Sequence, residues 1–165
     1  MKAKNPRAVL EAKSDRDIRR CFPTLKELRP HLADAADLLS RAKRQMKQAG
    51  WRLIYIEDNG EPIGCASFRI VEHLAWGKVL YVDDLIVRET HRGQGYADAL
   101  ILWCLAQGWR ENCDAFHLDS GTQRLPAHRF YHRMGLRITG FHFSRPLEGA
   151  AQARGVRRKK SKSQP

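Results

Sequence analysis

Ten residues, His91 to Leu100 (HRGQGYADAL), place Gly93 and Gly95 two apart, between an apolar run, KVLYVDDLIV, and a segment of helical periodicity. The start of a helix presents backbone N–H groups and the positive end of the helix dipole, and glycines let an anion approach that backbone without a Cβ in the way. Arg92 adds a fixed charge able to make charge-assisted hydrogen bonds to phosphate oxygens, and Gln94, Tyr96 and Ala97 complete the stretch. The chemistry implied is a phosphate cradle. A plain tight turn into a helix would use the same glycines, and short glycine motifs alone leave both readings open. The stretch lacks the GK[ST] of a Walker A loop, and it lacks the GxGxxG spacing with a later acid that marks a dinucleotide fold.

Two carboxylates, Asp83 and Asp84, interrupt the apolar run just upstream. Acids within a strand are unusual enough to suggest function, and a salt bridge to one of the many arginines or an edge-strand charge explains them equally well. Strict strand alternation points the two to opposite faces, so at most one is expected to face a given cleft. Glu72 and Asp119 are further acids with weaker claims. Tyr131, beside Phe130 in AHRFYHRMG, reads from its spacing as a core aromatic on an amphipathic helix. His117, His128 and His132 have no acid or thiol at ligand spacing, so polar packing is their expected role and no metal site is expected. Cys21, Cys65, Cys104 and Cys113 stand far apart with no CxxC, which fits free thiols in a reducing compartment.

The elements that position these residues follow from periodicity. Residues 8–13 read as a short strand, Ser14 and Asp17 as a capping box, and a short helix runs from there to about Cys21. Pro30 is expected in the first turn of the next helix, whose apolar positions Leu32, Ala35, Ala36, Leu39, Ala42 and Met46 recur at three and four residues until Gly50 stops it. Three strands follow, WRLIYIED, EPIGCASFRIV and WGKVLYVDDLIV, the first two joined by the turn signal DNGE. A helix then carries Ala97, Leu100, Ile101, Cys104 and Leu105 on one face, DAFHLDSG is a strand, LPAHRFYHRMG a helix and LRITGFHFS a last strand. The order β-α-α-β-β-β-α-β-α-β predicts an α/β protein, with antiparallel strands first and then a βαβ unit around the glycines. A mixed, mostly antiparallel sheet of about six strands with helices on both faces satisfies it.

A chain of 165 residues, 42% of them hydrophobic, holds one domain with a real core. The formal net charge is +12, and the last twelve residues, RGVRRKKSKSQP, supply half of that excess. A single domain over residues 1–148 followed by a basic, disordered tail over 149–165 is the expected organisation. No run approaches the roughly 20 apolar residues of a membrane span. The start, MKAKNPRAVLEAK, lacks the apolar centre of a signal peptide, so a cytoplasmic protein that does not enter membranes is expected. The tail is basic enough to touch nucleic acid, yet its RRKK run is short, and the body has no basic stripe interleaved with aromatics.

LIVRETHRGQGYADAL resembles motif A of the GNAT superfamily of acyl-CoA-dependent N-acyltransferases, in which an Arg or Gln is followed after two residues by Gly, one residue, and Gly or Ala. Here these are Arg92, Gly95 and Ala97. AHRFYHRMG resembles motif B of the same superfamily, with Ala127 opening the helix, Tyr131 near its end and Gly135 closing it. The resemblance covers about residues 8 to 144. Its C-terminal part looks most like small bacterial members grouped with histone-acetyltransferase-like proteins. It implies the GNAT fold, acetyl-CoA or another acyl-CoA as co-substrate, and a CoA pyrophosphate held on the backbone of Arg92, Gly93, Gln94, Gly95, Tyr96 and Ala97. It also implies a pantetheine arm along the backbone of Leu85, Ile86 and Val87, where an amide polarises the thioester carbonyl. Tyr131 becomes the acid that protonates the departing sulfur, and Asp83 or Asp84 the base that takes the proton of the acceptor amine. Many superfamily members carry an Asn where this chain has Arg124. That departure puts the usual side-chain contact to the pantetheine arm in doubt, with Ser120 or Gln123 as substitutes. The aromatic usual after the motif B glycine is Leu136 here.

The resemblance implies transfer of an acetyl group to a primary amine by direct attack on the thioester. A CoA-binding sensor that kept the cradle without the chemistry is the alternative. The acceptor, a small molecule or a protein amine, is not readable, because its pocket is built from the first helices and nearby loops, which carry no general code. A homodimer is left open.

Overall fold

A computed structural model of the chain describes residues 8–147. The basic tail therefore lies outside the described residues. The chain divides into two compact units, Met1–Phe130 and Tyr131–Pro165.

The first unit is built on one five-stranded sheet in the order β1-β2-β3-β4-β5. Its strands are β1 (Val9–Glu11), β2 (Arg52–Asp58), β3 (Glu61–His73), β4 (Gly77–Val87) and β5 (Ala115–Leu118). The first four pair antiparallel, and β5 runs parallel to β4. The β2–β3 turn holds Asn59 at φ 50° and Gly60 at φ 78°, the double left-handed geometry that an Asn-Gly hairpin adopts because its twist matches the flanking strands.

Helices α1 (Asp15–Arg20), α2 (Phe22–Leu28) and α3 (Ala35–Ala49) pack on one face of the sheet, around Ile18, Cys21, Leu25, Leu38, Leu39, Trp51 and Leu53. Helix α4 (Tyr96–Arg110) packs on the other, where Leu100 and Cys104 meet Ile54, Ile63, Phe68, Leu80 and Val82. The capping box is present: Asp17 N donates to Ser14 Oγ, and Ser14 N donates to Asp17 Oδ2 at 3.0 Å. Gly50 closes α3 at φ 61°.

Two local expectations give way to tertiary context. Pro30 lies outside α3, because Asp34 caps that helix by accepting from Ala36 N and Asp37 N, both at 2.8 Å. The separate helix α2, with a proline in its first turn, fills the stretch that sequence periodicity had not assigned.

Helix α5 (Leu125–Arg133) crosses into the second unit, which begins at Tyr131. Gly135 ends it at φ 83°, with Gly135 N donating to His132 O and Leu136 N to Tyr131 O, both at 3.0 Å. The sixth strand expected at LRITGFHFS is not formed, and among the described residues no strand follows α5. A strand exists only through ladder hydrogen bonds, and this run makes none; its apolar Phe141 and Phe143 remain 84% and 90% exposed.

Candidate active site

The decisive local feature is a bulge in β4. Ser67 pairs with Asp84 while the next residue, Phe68, pairs with Val82, so Asp83 is an extra residue without a cross-strand partner. A single extra residue reverses the facing of everything beyond it. Leu80 and Val82 accordingly face α4, whereas Ile86 joins the core under α1–α3. The expectation that Asp83 and Asp84 point to opposite faces is thereby corrected. Both line one cavity of about 340 Å3, together with Leu25 and Arg29 of the α2 region, Arg41 and Gln45 of α3, and Trp51.

The two acids have different surroundings. Asp84 Oδ1 accepts from Arg29 Nε at 2.7 Å and its Oδ2 from the buried Ser67 hydroxyl at 2.6 Å, so both oxygens are engaged. Asp83 Oδ2 accepts from Arg69 Nε at 2.9 Å, while Arg29 Nη2 donates to the Asp83 carbonyl at 3.2 Å. Burial pushes the Asp83 carboxyl above the usual carboxylate value, against the opposing pull of Arg69 and with help from the neighbouring charge of Asp84. That shift moves Asp83 toward the range useful for a general base at neutral pH. Glu72 and Asp119 do not line the cavity. Glu72 is exposed on β3, and Asp119 accepts from the Tyr81 hydroxyl at 2.5 Å.

The same bulge marks where β4 leaves β5. Parallel pairing runs from Val79 opposite Ala115 to Val82 opposite Leu118 and goes no further. From Asp83 to Val87 the side of β4 turned toward β5 carries no strand among the described residues, which leaves an edge for an extended ligand to add to. Leu85, Ile86 and Val87 lie on that edge. Just past the end of β5, the Ser120 hydroxyl is buried and has no hydrogen-bond partner among the described residues. A buried orphan of this kind costs free energy unless a bound group satisfies it.

Beyond β4 the chain makes a short 3-10 turn, Glu89–His91, and enters α4. Gly93 and Gly95 sit at φ 73° and 80°, left-handed conformations that favour glycine, and Gly95 occupies the N-cap position with no side-chain cap. A Cβ on Gly93 would meet open space, so the backbone here is approachable. Ala99 N is the first to reach back, to Gly95 O at 3.2 Å. Arg92 Nε donates to Val87 O at 3.2 Å and ties the loop to the end of β4, a role that sequence alone did not suggest. Arg92 through Gly95 are exposed, with Tyr96 and Ala97 half-buried.

The observations fit CoA: left-handed glycines opening a 15-residue helix for its pyrophosphate, an open β4 edge for the pantetheine arm and the orphan Ser120 hydroxyl beside it. Arg124, the position of the family's Asn, is exposed just before α5, and Gln123 folds its amide over Gly121. Tyr131 lies half-buried in the second unit, on the last turns of α5. Of the histidines, His117 packs against Trp76 with tilted rings whose centroids are 4.9 Å apart, His128 Nε2 meets Gly121 O at 2.9 Å, and His132 Nδ1 meets Leu136 O at 3.2 Å. Cys21, Cys65, Cys104 and Cys113 are free thiols, and burial raises Cys104 to about 12. No helix among the described residues is long and apolar enough to cross a membrane.

Sequence reasoning missed Arg29, Ser67, Arg69 and Arg41. The one signal available was a serine and an arginine set into the apolar run ASFRIV, whose meaning depends on which β4 residues stand opposite.

Comparison with known proteins agrees with this architecture. The chain is 28% identical over 129 residues to the uncharacterized N-acetyltransferase YhdJ of Bacillus subtilis, covering 76% of this chain and 89% of that protein. It is 29% identical over 90 residues to the aminoalkylphosphonate N-acetyltransferase of Salmonella typhimurium, a match spanning 54% of this chain and 58% of that relative. Among solved structures, the aminoglycoside N-acetyltransferase AAC(6')-Iy in complex with CoA superposes with a TM-score of 0.75 at 15% identity, over 90% of this chain and 99% of that one. The model of the acetyltransferase (GNAT) family matches residues 16–136, a span that includes both motifs, the bulged β4 and the cavity helices, and the chain belongs to that family.

Proposed function

We propose that this protein is an N-acetyltransferase that moves the acetyl group of acetyl-CoA directly onto the primary amine of a small molecule, with residues 1–148 acting as one acyltransferase domain. The observation that carries the reading is the β4 bulge. It puts a carboxylate of raised pKa, Asp83, both in the 340 Å3 cavity and at the start of the unpaired β4 edge. A cavity of that volume lies near the lower end of the ~300–1,000 Å3 range of small-molecule sites. The named relatives acetylate aminoalkylphosphonates and aminoglycosides, which are small-molecule amines.

Acetyl-CoA supplies the activated acyl group as a thioester. The backbone of Arg92–Ala97 holds its pyrophosphate, the edge of Leu85–Val87 aligns its extended arm, and Ser120 Oγ donates to or accepts from that arm in place of the family's Asn. Asp83 takes the proton from the acceptor's ammonium, because an ammonium has no lone pair with which to attack. Asp84, locked between Arg29 and Ser67, positions the cavity wall rather than moving protons. Tyr131, at the motif B position, gives its hydroxyl proton to the leaving thiolate. An amide on the β4 edge polarises the reacting carbonyl.

The test is a free-thiol release assay with acetyl-CoA against a panel of small amines, run beside Tyr131→Phe and Asp83→Asn. Turnover that each variant cuts about 10²- to 10⁴-fold is expected, the usual worth of one positioned acid or base. Tight acetyl-CoA binding with no turnover on any amine would replace the enzyme by a CoA-binding module.

A further inference from the structure

The charges lining the cavity say more about its occupant than its volume does. If acids alone lined it, it would select cationic acceptors such as polyamines. Here each acid is matched: Arg69 donates to Asp83 at 2.9 Å, and Arg29 donates to Asp84 at 2.7 Å. Two further groups that line the same cavity offer hydrogen-bonding groups that the acids do not use. Arg41 stands on the face of α3 that also presents Leu38, Ala42 and Gln45, and only its Nε is engaged, by Asp37 Oδ1 at 2.9 Å. Among the described residues its Nη groups donate to nothing. His31, on the loop after α2, makes no hydrogen bond or ion pair among the described residues.

From this arrangement we infer that the acceptor is an amine bearing an anionic group, whose carboxylate or phosphonate is seated by Arg41 and His31 while its amine meets Asp83. This rests on the acetyltransferase reading above and adds the acceptor's chemical class. Once Asp83 has removed a proton the amine end is neutral, and although Asp37 already balances the charge of Arg41, the two Nη groups of that guanidinium remain to donate to an anion. A forked guanidinium matches the two or three oxygens of a carboxylate or phosphonate with parallel hydrogen bonds. A polycation gains less from the site, since it brings several ammonium groups to a cavity whose two acids are already paired with arginines.

The closing experiment compares four amines on the full chain with saturating acetyl-CoA: β-alanine, 2-aminoethylphosphonate, ethanolamine as the analogue of similar length with a neutral hydroxyl in place of the anion, and spermidine as the polycation. The expected result is kcat/KM about ten- to a hundredfold higher for one or both anionic amines than for ethanolamine, the range of one or two charge-assisted hydrogen bonds. The two anionic arms separate a carboxylate site from a phosphonate site. Arg41→Gln is expected to lower the ratio of the anionic amine to ethanolamine at least tenfold, mainly through KM, with Arg41→Lys recovering part of it. Circular dichroism of both variants checks that α3 is intact, and acceptor binding read by calorimetry provides a second measurement if turnover is weak. Ethanolamine or spermidine acetylated as well as the anionic amines would overturn this inference and leave the acetyltransferase reading standing. Failure with every amine, despite acetyl-CoA binding, would instead remove the reading on which it rests.

Discussion

Asp83 and Arg69 face each other at 2.9 Å on the α1–α3 side of the sheet, although strand alternation in the sequence would send Asp83 and its neighbour Asp84 to different sides. The bulge that makes this contact possible gives one strand two tasks. Before it, β4 pairs with β5 and closes the sheet; after it, β4 presents its free edge and both acids present their carboxylates to the cavity.

Ionising Asp83 carries a cost, since burial raises its carboxyl above the ordinary value of 3.8 in spite of Arg69. A raised folded-state pKa means that the protonated form is the one favoured by folding, so this group's contribution to stability grows as pH falls through the raised value and is lost above it. Asp83→Asn, which keeps the shape and removes the charge, is expected to hold or raise the thermal midpoint at pH 7 while abolishing most turnover. The gain should shrink as the pH is lowered toward 4. A midpoint several degrees below wild type at pH 7 would mean that the pair with Arg69 outweighs the burial.

The same relationship sets a pH profile. With Asp83 as the proposed base, the acidic limb of log kcat/KM should lie above the ordinary Asp value, because only the deprotonated carboxylate accepts the proton. Arg69 holds that carboxyl down, so Arg69→Gln is expected to move the limb to still higher pH. A limb that stays in place when Arg69 is removed would show that another group is the base.

Gly95 is the left-handed N-cap of α4, at φ 80°. Gly95→Ala introduces about 1–2 kcal/mol of backbone strain and alters the backbone of the proposed pyrophosphate cradle. KM for acetyl-CoA should rise by at least tenfold with a smaller change in kcat at saturation, measured by initial rates with varied acetyl-CoA.

Ser120 offers a cleaner case, because its hydroxyl is buried with nothing to bond to among the described residues. Ser120→Ala removes an unsatisfied group from the free protein and is expected to leave its melting temperature unchanged or slightly higher. Acetyl-CoA affinity, read by titration calorimetry, should fall about two- to tenfold, the worth of one ordinary hydrogen bond. A large loss of stability in the free protein would show that the hydroxyl is not an orphan.

The features that could be read directly from the chain are those whose causes lie within a few residues. The Ser14–Asp17 box, the Asn59–Gly60 turn, the Gly50 stop and the left-handed pair Gly93 and Gly95 are all local: a side chain or its absence acts on its own or adjacent backbone. The order of the elements from β2 to α5 was legible for the same reason, since alternation and helical periodicity are short-range patterns. The facing of Asp83 and Asp84 was not. It depends on one unpaired residue opposite Ser67 and Phe68, and cross-strand register is set by packing across the whole sheet. Nor was the pairing of each acid legible, because Arg29 comes from 55 residues before Asp84 and only the fold of α2 over β4 brings them together. The absent sixth strand belongs to the same class. An apolar run such as LRITGFHFS has strand propensity by itself, yet becomes a strand only when another backbone offers it hydrogen bonds.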